Sequence, residues 1–471
     1  MYISRLALDH FRSWEHCVVD FAPGVNILHG ANGLGKTNIV EAIEVLSTGS
    51  SHRTSSALPL VERGFTSATI RANVGESAVI EARTEADADD EAARADGKAN
   101  DHLHTTTYEA TIAVRGANRA RINGGSSLYM RDIVGRIPSV SFTPEDQRLV
   151  TSDPAMRRRF LDQSGALLIP GYMNRLQTCT RIAKQRAALL KQLERAEGDT
   201  NAALSGLEIW TGQFIEAGIA LTADRNSIIN SLSEPFAAIY ARLAGDRLAG
   251  DKAADDDESA VVKAAIDNEH QTAHKARLAY EPSFAEVLDD SNGDAPAAIS
   301  RHFQRIYPGE VARGLNLIGP HRDDMALELE GMPAREFASN GEMWTMALAL
   351  KMALFEVVVR TSGVTPIVIL DDVFAQLDET RRGQILDFAA AQQQVFITVA
   401  ARSDIPDFNG SGDSGRGLGG GLGSAGLNGD GAFNGTAHAN IIDVAQLKAA
   451  SHDGNDQLIA QLQAMRGGGE A

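Results

Sequence analysis

Three short stretches hold residues whose types and spacing could do chemistry. "HGANGLGKTN", residues 29–38, contains Gly30-x-x-x-x-Gly35-Lys36-Thr37 after a strand-like run and before a helix-like one. Glycines so placed let backbone N–H groups curl around phosphate oxygens, and the helix start adds its positive dipole end. Lys36 supplies a point charge and Thr37 a hydroxyl for Mg²⁺. In "PIVILDDVFAQLD", four apolar residues, Ile367 to Leu370, end in Asp371-Asp372. A buried parallel strand with carboxylates at its C-terminal edge has that pattern. Asp371 is placed to hold Mg²⁺ directly or through water, and Asp372 to orient or deprotonate an attacking water. The third stretch, "FASNGEMWTMALALKMALFE", opens with Ser339-Asn340-Gly341-Glu342, a capping box ahead of an apolar helix. Capping alone accounts for it; a ligand role depends on what the fold brings near.

Positioning these groups takes strands at both ends of the chain. "YISRLALDHF", "EHCVVDFA", "GVNILHG", "SATIRANV", "TYEATIAVRG" and "RARINGG" read as strands, with a helix from about Lys36. "SDPAMRRRFLDQ" starts a helix with Asp153 as N-cap and Pro154 at its first position. Helical pattern runs from there to about Arg305, and strands return at "LNLIGP", "MALELEG" and "PIVILDD". A short strand follows at "ANIIDVAQL". This layout predicts one sheet assembled from sequence-distant segments with a helical insertion. The expected division is 1–150 for the first part of an ATPase lobe, with an acidic loop at about 81–106, and 151–310 for a helical lobe, with a second acidic loop at about 245–260. Residues 311–405 complete the head, 406–440 form a glycine-rich linker expected to be disordered, and 441–471 form a tail. Twelve of the 28 residues from Asn409 to Thr436 are glycine, which is what marks the linker.

Composition excludes several classes. No run of about 18 apolar residues exists, so no transmembrane helix is expected. The N-terminus is strand-like and interrupted by charge, unlike a signal peptide. Cys17 and Cys179 alone cannot build a disulfide framework or zinc cluster, which predicts a cytoplasmic protein. A net charge of −18 argues against a polyanion partner, but the acids concentrate in two stretches, residues 81–102 and 250–259, while Arg157 to Arg159 and the run from Arg175 to Arg195 lie elsewhere.

"GANGLGKTNIVEAI", "SNGEMWTMALALKMA" and "ILDDVFAQLDETRR" together resemble the ABC-type ATPase heads of the SMC/RecF class. "FRSW" at Phe11, "SHRT" at Ser51, "FTPEDQRLV", "DPAMRRRFLD" and "GPHRDD" at Gly319 are similar to the RecF family in particular, over Met1 to about Ala401. The resemblance implies an α/β head, a P-loop NTPase of the ABC kind with a mostly helical second lobe and no long coiled coil. It implies ATP bound by Gly30, Ala31, Asn32, Gly33, Leu34, Gly35, Lys36, Thr37 and Asn38, with Arg12 flanking the nucleotide. Lys36, Asp371 and Asp372 would be catalytic; Thr37, Asp371 and Gln147 would serve Mg²⁺, Glu145 or Asp146 being equally able to fill the Gln147 role. Ser339, Asn340, Gly341 and Glu342 would act in trans on a partner's ATP, with Asp378 signalling across the dimer. Arg53 could contact nucleotide, sense DNA or be a solvated loop arginine. His321 and Arg322 have turn-forming, inter-lobe and ligand readings open.

The implied function is ATP-dependent DNA binding in recombinational repair, replication and the SOS response to DNA damage, with an ATP-dependent homodimer loading recombinase at gaps. Double-stranded or junction DNA, RecR and RecO are the implied partners. Thr398 stands where transporters carry a switch histidine, and Asp372 where many ABC ATPases have glutamate; both predict slow hydrolysis. The alternatives are an SMC-like or ABC-type ATPase subunit, or a scaffold whose nucleotide site is structural.

Overall fold

Alternating burial along the first strands makes a two-faced sheet. In the computed structural model, which describes residues 1–54, 56–75, 105–195, 201–252, 276–288, 290, 293–405 and 439–451, β1 (Tyr2–Phe11) pairs antiparallel with β2 (Trp14–Asp20) and with β4 (Ser67–Gly75). The sheet continues through β5 (Thr105–Ala113), β6 (Arg119–Ile122) and β7 (Leu128–Tyr129) in the order β2-β1-β4-β5-β6-β7.

A second sheet is parallel throughout. Its order is β14-β3-β13-β12-β8, from β3 (Gly24–His29), β8 (Ser139–Phe142), β12 (Ile367–Asp371), β13 (Gln394–Val399) and β14 (Asn440–Asp443). Strands β8, β12 and β13 are buried at every position, as a parallel sheet covered on both faces requires. Side chains alternate between two cores: Ile367, Ile369 and Phe396 join the antiparallel sheet and helix α1 (Lys36–Thr48), while Val368, Leu370, Val395 and Ile397 join the helical side. That registration decides the site. Asp371 pairs with Thr398 and Val399 with His29, so the ends of β3, β12 and β13 share one edge of the sheet. Ligands of open α/β sheets bind at such carboxyl edges.

The helical part comprises α2 (Pro154–Leu168), α3 (Tyr172–Glu194), α4 (Asn201–Lys252) and α5 (Ala295–Arg313), with a small sheet of β9 (Ala276–Glu281), β10 (Asp324–Leu329) and β11 (Met332–Pro333). Helix α6 (Asn340–Ser362) enters the helical core, α7 (Glu379–Ala390) links β12 to β13, and α8 (444–451) follows β14. Among the described residues no helix is long and apolar enough to cross a membrane.

Several expectations change, the single sheet first: the described strands divide among a six-stranded antiparallel, a five-stranded parallel and a three-stranded sheet. "LNLIGP" is not a strand: Asn316 gives its carbonyl to His321 and Arg322 and its amide oxygen to Arg186, and a 3₁₀ turn begins at Pro320. Strand β9 lies inside the stretch expected to be helical, and β8 was not anticipated. Residues 245–252 continue α4 rather than opening an acidic loop. The rest of that loop, the acidic loop near 81–106 apart from its last two residues, and the glycine-rich stretch from Asn409 to Thr436 lie outside the described residues.

Candidate functional site

The loop between β3 and α1 closes around its own lysine. Lys36 is buried, and its Nζ donates to the Gly30 carbonyl at 2.6 Å, the Ala31 carbonyl at 3.4 Å and Asn32 Oδ1 at 3.3 Å. Gly33 and Gly35 have φ of 85° and 103°, left-handed conformations that glycine adopts without steric cost. A Cβ on Gly35 would stand 2.7 Å from Trp14 Nε1, which itself donates to the Gly35 carbonyl at 3.1 Å. Glycine is required there on both counts.

Thr37 and Asp371, 334 positions apart in sequence, are joined by a hydrogen bond from Thr37 Oγ1 to Asp371 Oδ1 at 3.0 Å. Thr398 Oγ1 donates to the same oxygen at 2.6 Å and accepts from the Asp372 N–H at 2.9 Å. Asp371 is buried; desolvation raises its carboxyl above the ordinary value, the Thr398 hydroxyl opposes this, and the Asp372 charge adds to it. A buried carboxylate beside a hydroxyl is a hard-oxygen donor pair whose desolvation a divalent cation would relieve, so the residues present fit Mg²⁺. Asp372 adopts φ 50°, a left-handed conformation uncommon for a non-glycine residue, at the start of the turn beyond β12.

Behind the loop lies a carboxylate that sequence reasoning passed over. Glu41, fully buried on α1, takes a two-point ion pair from Arg12, a hydrogen bond from Ser51 Oγ at 2.5 Å and one from Arg53 Nη1 at 3.2 Å. Arg12 has φ 58°, with its N–H held by the Leu60 carbonyl at 2.9 Å. Arg53 Nη1 also donates to Asn38 Oδ1 at 3.1 Å, and Asn38 Nδ2 to Ser13 Oγ at 2.8 Å. One turn further along α1, Glu44 pairs with His52 at 2.6 Å and accepts from Gln163 of α2 at 2.8 Å, while Arg159 reaches the His52 carbonyl at 2.6 Å. The "SHRT" loop is thus clasped between α1 and the helical part. Two glutamates three positions apart in an apolar helix were the available signal.

The Ser339 box forms as expected: Ser339 N–H donates to Glu342 Oε2 at 2.7 Å and Glu342 N–H to Ser339 Oγ at 3.3 Å. Ser339 and Asn340 are exposed, as is Phe337 just before them. Arg381 ties this start to the loop after β12. It pairs with Asp378 and donates to the Gly341 carbonyl at 2.9 Å, and Asp378 caps α7 by accepting from the Arg381 N–H at 2.9 Å. Gln147 donates its side-chain amide to Asn340, so the structure joins it to the helix start rather than to the Thr37–Asp371 pair. Asp146 is engaged by Lys351 at 3.1 Å.

Arg157 and Arg158, at the start of α2, find partners within the chain. Arg157 forks onto Asp324 at 2.7 and 2.8 Å, and Arg158 donates to the Asp323 carbonyl at 2.8 Å. Buried Asp323 accepts from Arg225, Tyr280 and Ser283, so "GPHRDD" works as a polar junction of α2, α4, β9 and β10. Asp153 precedes α2 without a capping hydrogen bond from its side chain.

Residues 2–407 match the family described as RecF/RecN/SMC N terminal domain. A protein named DNA replication and repair protein RecF from Bifidobacterium adolescentis is 57% identical over 475 residues, spanning 100% of this chain and 97% of that protein. The protein of the same name from Bifidobacterium longum subsp. infantis is 62% identical over 411 residues, 87% of either chain. A solved structure of the recombination mediator protein RecF with ATP, in the RecFOR pathway, is similar in fold, with a TM-score of 0.68 at 23% identity over 86% of this chain and 93% of that one.

Proposed function

Because the chain belongs to the RecF family of DNA replication and repair proteins, we propose that it is a DNA-binding switch driven by ATP at the 30–38 loop. The observation that carries this reading is the meeting of Lys36, Thr37 and Asp371 at one sheet edge, through the 3.0 Å Thr37–Asp371 bond. On this reading residues 1–150 and 311–405 form the nucleotide lobe and 151–310 the helical lobe.

Lys36 exchanges the Gly30 carbonyl for phosphate oxygens, and the N–H groups from Gly30 to Asn38 orient the triphosphate. Thr37 and Asp371 would hold Mg²⁺, which would supply charge neutralisation to the bound triphosphate. Asp372 positions the water, and Arg12 flanks the nucleotide. With an aspartate there and Thr398 in place of a histidine, hydrolysis is slow, so the bound state acts as a timer. Ser339, Asn340, Gly341 and Glu342 complete the partner subunit's site in a homodimer assembled by ATP, with Asp378 and Arg381 relaying its formation. DNA phosphates bind the basic faces electrostatically, in the cytoplasm, and RecR and RecO are the protein partners.

Oligomeric state tests this: sedimentation with ADP is expected to show monomer, and with a non-hydrolysable ATP analogue dimer. Monomer under both conditions refutes the composite site. Survival of both nucleotide binding and DNA repair in Lys36→Arg would favour the scaffold reading.

A further inference from the structure

The segment after the glycine-rich stretch returns to the phosphate-binding loop. Strand β14 runs parallel to β3, from Asn440 beside Asn26 to Asp443 beside His29, one residue short of Gly30. The Asn440 amide donates to Asn26 Oδ1 at 2.8 Å, fixing that register. Asp443 then starts α8, its Oδ1 accepting from the Ala445 N–H at 2.9 Å and the Gln446 N–H at 3.3 Å. Val444 is fully buried where a Cβ on Gly30 would come within 3.6 Å of it. One turn on, half-buried Lys448 places its Nζ 5.0 Å from the centre of the Trp14 ring and 3.3 Å from the Ser13 carbonyl. Trp14 is 1% exposed and holds the Gly35 carbonyl. Both ends of the loop are therefore touched by residues 440–451, Gly30 through Val444 and Gly35 through Lys448 and Trp14.

We infer that residues 440–451 brace the nucleotide loop, with Lys448 a positioning residue that acts through Trp14 on Gly35. The inference rests on the reading of residues 30–38 as the ATP site. An ammonium over an indole face is attracted by the ring quadrupole, and Trp is the best such ring. Lys448 thereby favours the Trp14 placement whose N–H holds the Gly35 carbonyl, which fixes the peptide preceding Lys36. Without the cation the loop samples more conformations before ATP arrives, and the cost appears as weaker binding.

The test titrates the unaltered full chain, Lys448→Met, Lys448→Arg, Trp14→Phe and the Trp14→Phe/Lys448→Met double variant with a fluorescent non-hydrolysable ATP analogue and Mg²⁺. Lys448→Met is expected to bind the analogue about two- to fivefold more weakly, the range of an exposed cation–π contact, and in a parallel assay with ATP itself the loss falls in the Michaelis constant rather than in turnover. Lys448→Arg restores affinity, since a guanidinium stacks on the same face, and the double variant binds no worse than Trp14→Phe. Undiminished affinity of Lys448→Met overturns the proposal, as does additivity of the two losses. Should Trp14→Phe not fold, the comparison of Met with Arg at position 448 decides. A chain that does not bind the analogue before any substitution overturns the ATP-site reading instead, so the two failures are distinct.

Discussion

Substituting Ser339 by aspartate separates the two roles its position combines. Aspartate caps helices as well as serine, and a carboxylate at a helix N-terminus gains about 0.3–1 kcal/mol from the dipole. The exposed site and the intact backbone geometry, with the Ser339 N–H on Glu342 at 2.7 Å, give no reason for strain. Stability of the nucleotide-free monomer should therefore be unchanged or slightly higher. In the proposed dimer that carboxylate meets a γ-phosphate. Unit charges about 4 Å apart at an effective dielectric of about 20 repel by about 4 kcal/mol. Halving this for solvent exposure leaves about 2 kcal/mol per site, or about 4 kcal/mol over two sites, a roughly thousandfold weaker dimer. Sedimentation velocity over a concentration series with the non-hydrolysable analogue measures the dimer constant, and a urea melt without nucleotide measures the monomer. Ser339→Ala is the converse, costing about 1 kcal/mol in the melt through the lost cap. An aspartate variant that dimerises as tightly as the parent refutes the placement of Ser339 at the partner's nucleotide.

Two further outcomes concern the acids of α1. Glu41→Gln leaves the Arg12 and Arg53 guanidiniums without their shared buried carboxylate, which should cost about 2–3 kcal/mol in a urea melt, below the about 3–5 kcal/mol of a fully buried pair because both arginines reach water. Combined with Arg12→Ala, the loss should fall short of the sum by about 1–2 kcal/mol; additivity refutes the hub. For the Glu44–His52 pair, burial alone would raise the Glu44 carboxyl, but the His52 charge and hydrogen bond hold it below its ordinary value. Burial would likewise lower His52, and Glu44 instead holds it above. The Glu44 contribution is present above about pH 4.3 and is lost as pH falls through the folded value; that of His52 is full below about pH 6.5 and is lost as pH rises through its folded value. The stability excess of the native chain over His52→Asn should therefore be greatest between about pH 4.3 and 6.5 and shrink as pH rises through the raised folded-state value of His52. A difference that stays constant through that rise contradicts the pairing.

Elements were legible where their signal was local and strong. The loop from Gly30 to Thr37 declares itself within eight consecutive residues, and the apolar run from Ile367 to Leu370 announces a buried strand without reference to its neighbours. Strand β8 escaped because "SVSF" is four residues long and gains its burial only between β12 and the helices beside it. Strand β9, "ARLAYE", sits in a long helical context, and its pairing with β10 joins segments about fifty residues apart in sequence. "LNLIGP" failed in the opposite direction: it has strand-like composition, but the carbonyl and side chain of Asn316 are committed to Arg186, His321 and Arg322. Side-chain competition for backbone groups is invisible to a period-two pattern.

The chemistry of the site divides in the same way, and for a physical reason. Groups that a phosphate would meet lie at element ends, where loop residues and caps leave compositional marks. Groups that hold those elements in place lie inside helices and look like ordinary helix surface. Glu41 and Glu44 alternate with Ile39, Val40, Ile43 and Val45, so a helical wheel assigns them no role until the 50–53 loop folds across them. Ser339 shows how a mark can serve both purposes. A serine hydroxyl has one donor and two acceptor sites, and the capping box uses an acceptor for the Glu342 N–H. In the proposed dimer its donor would serve an anion brought by the second subunit, and the cap holds the hydroxyl at a helix start whose dipole favours an anion. Capping and anion binding are therefore compatible at this residue, which is why the local pattern alone could not decide between them.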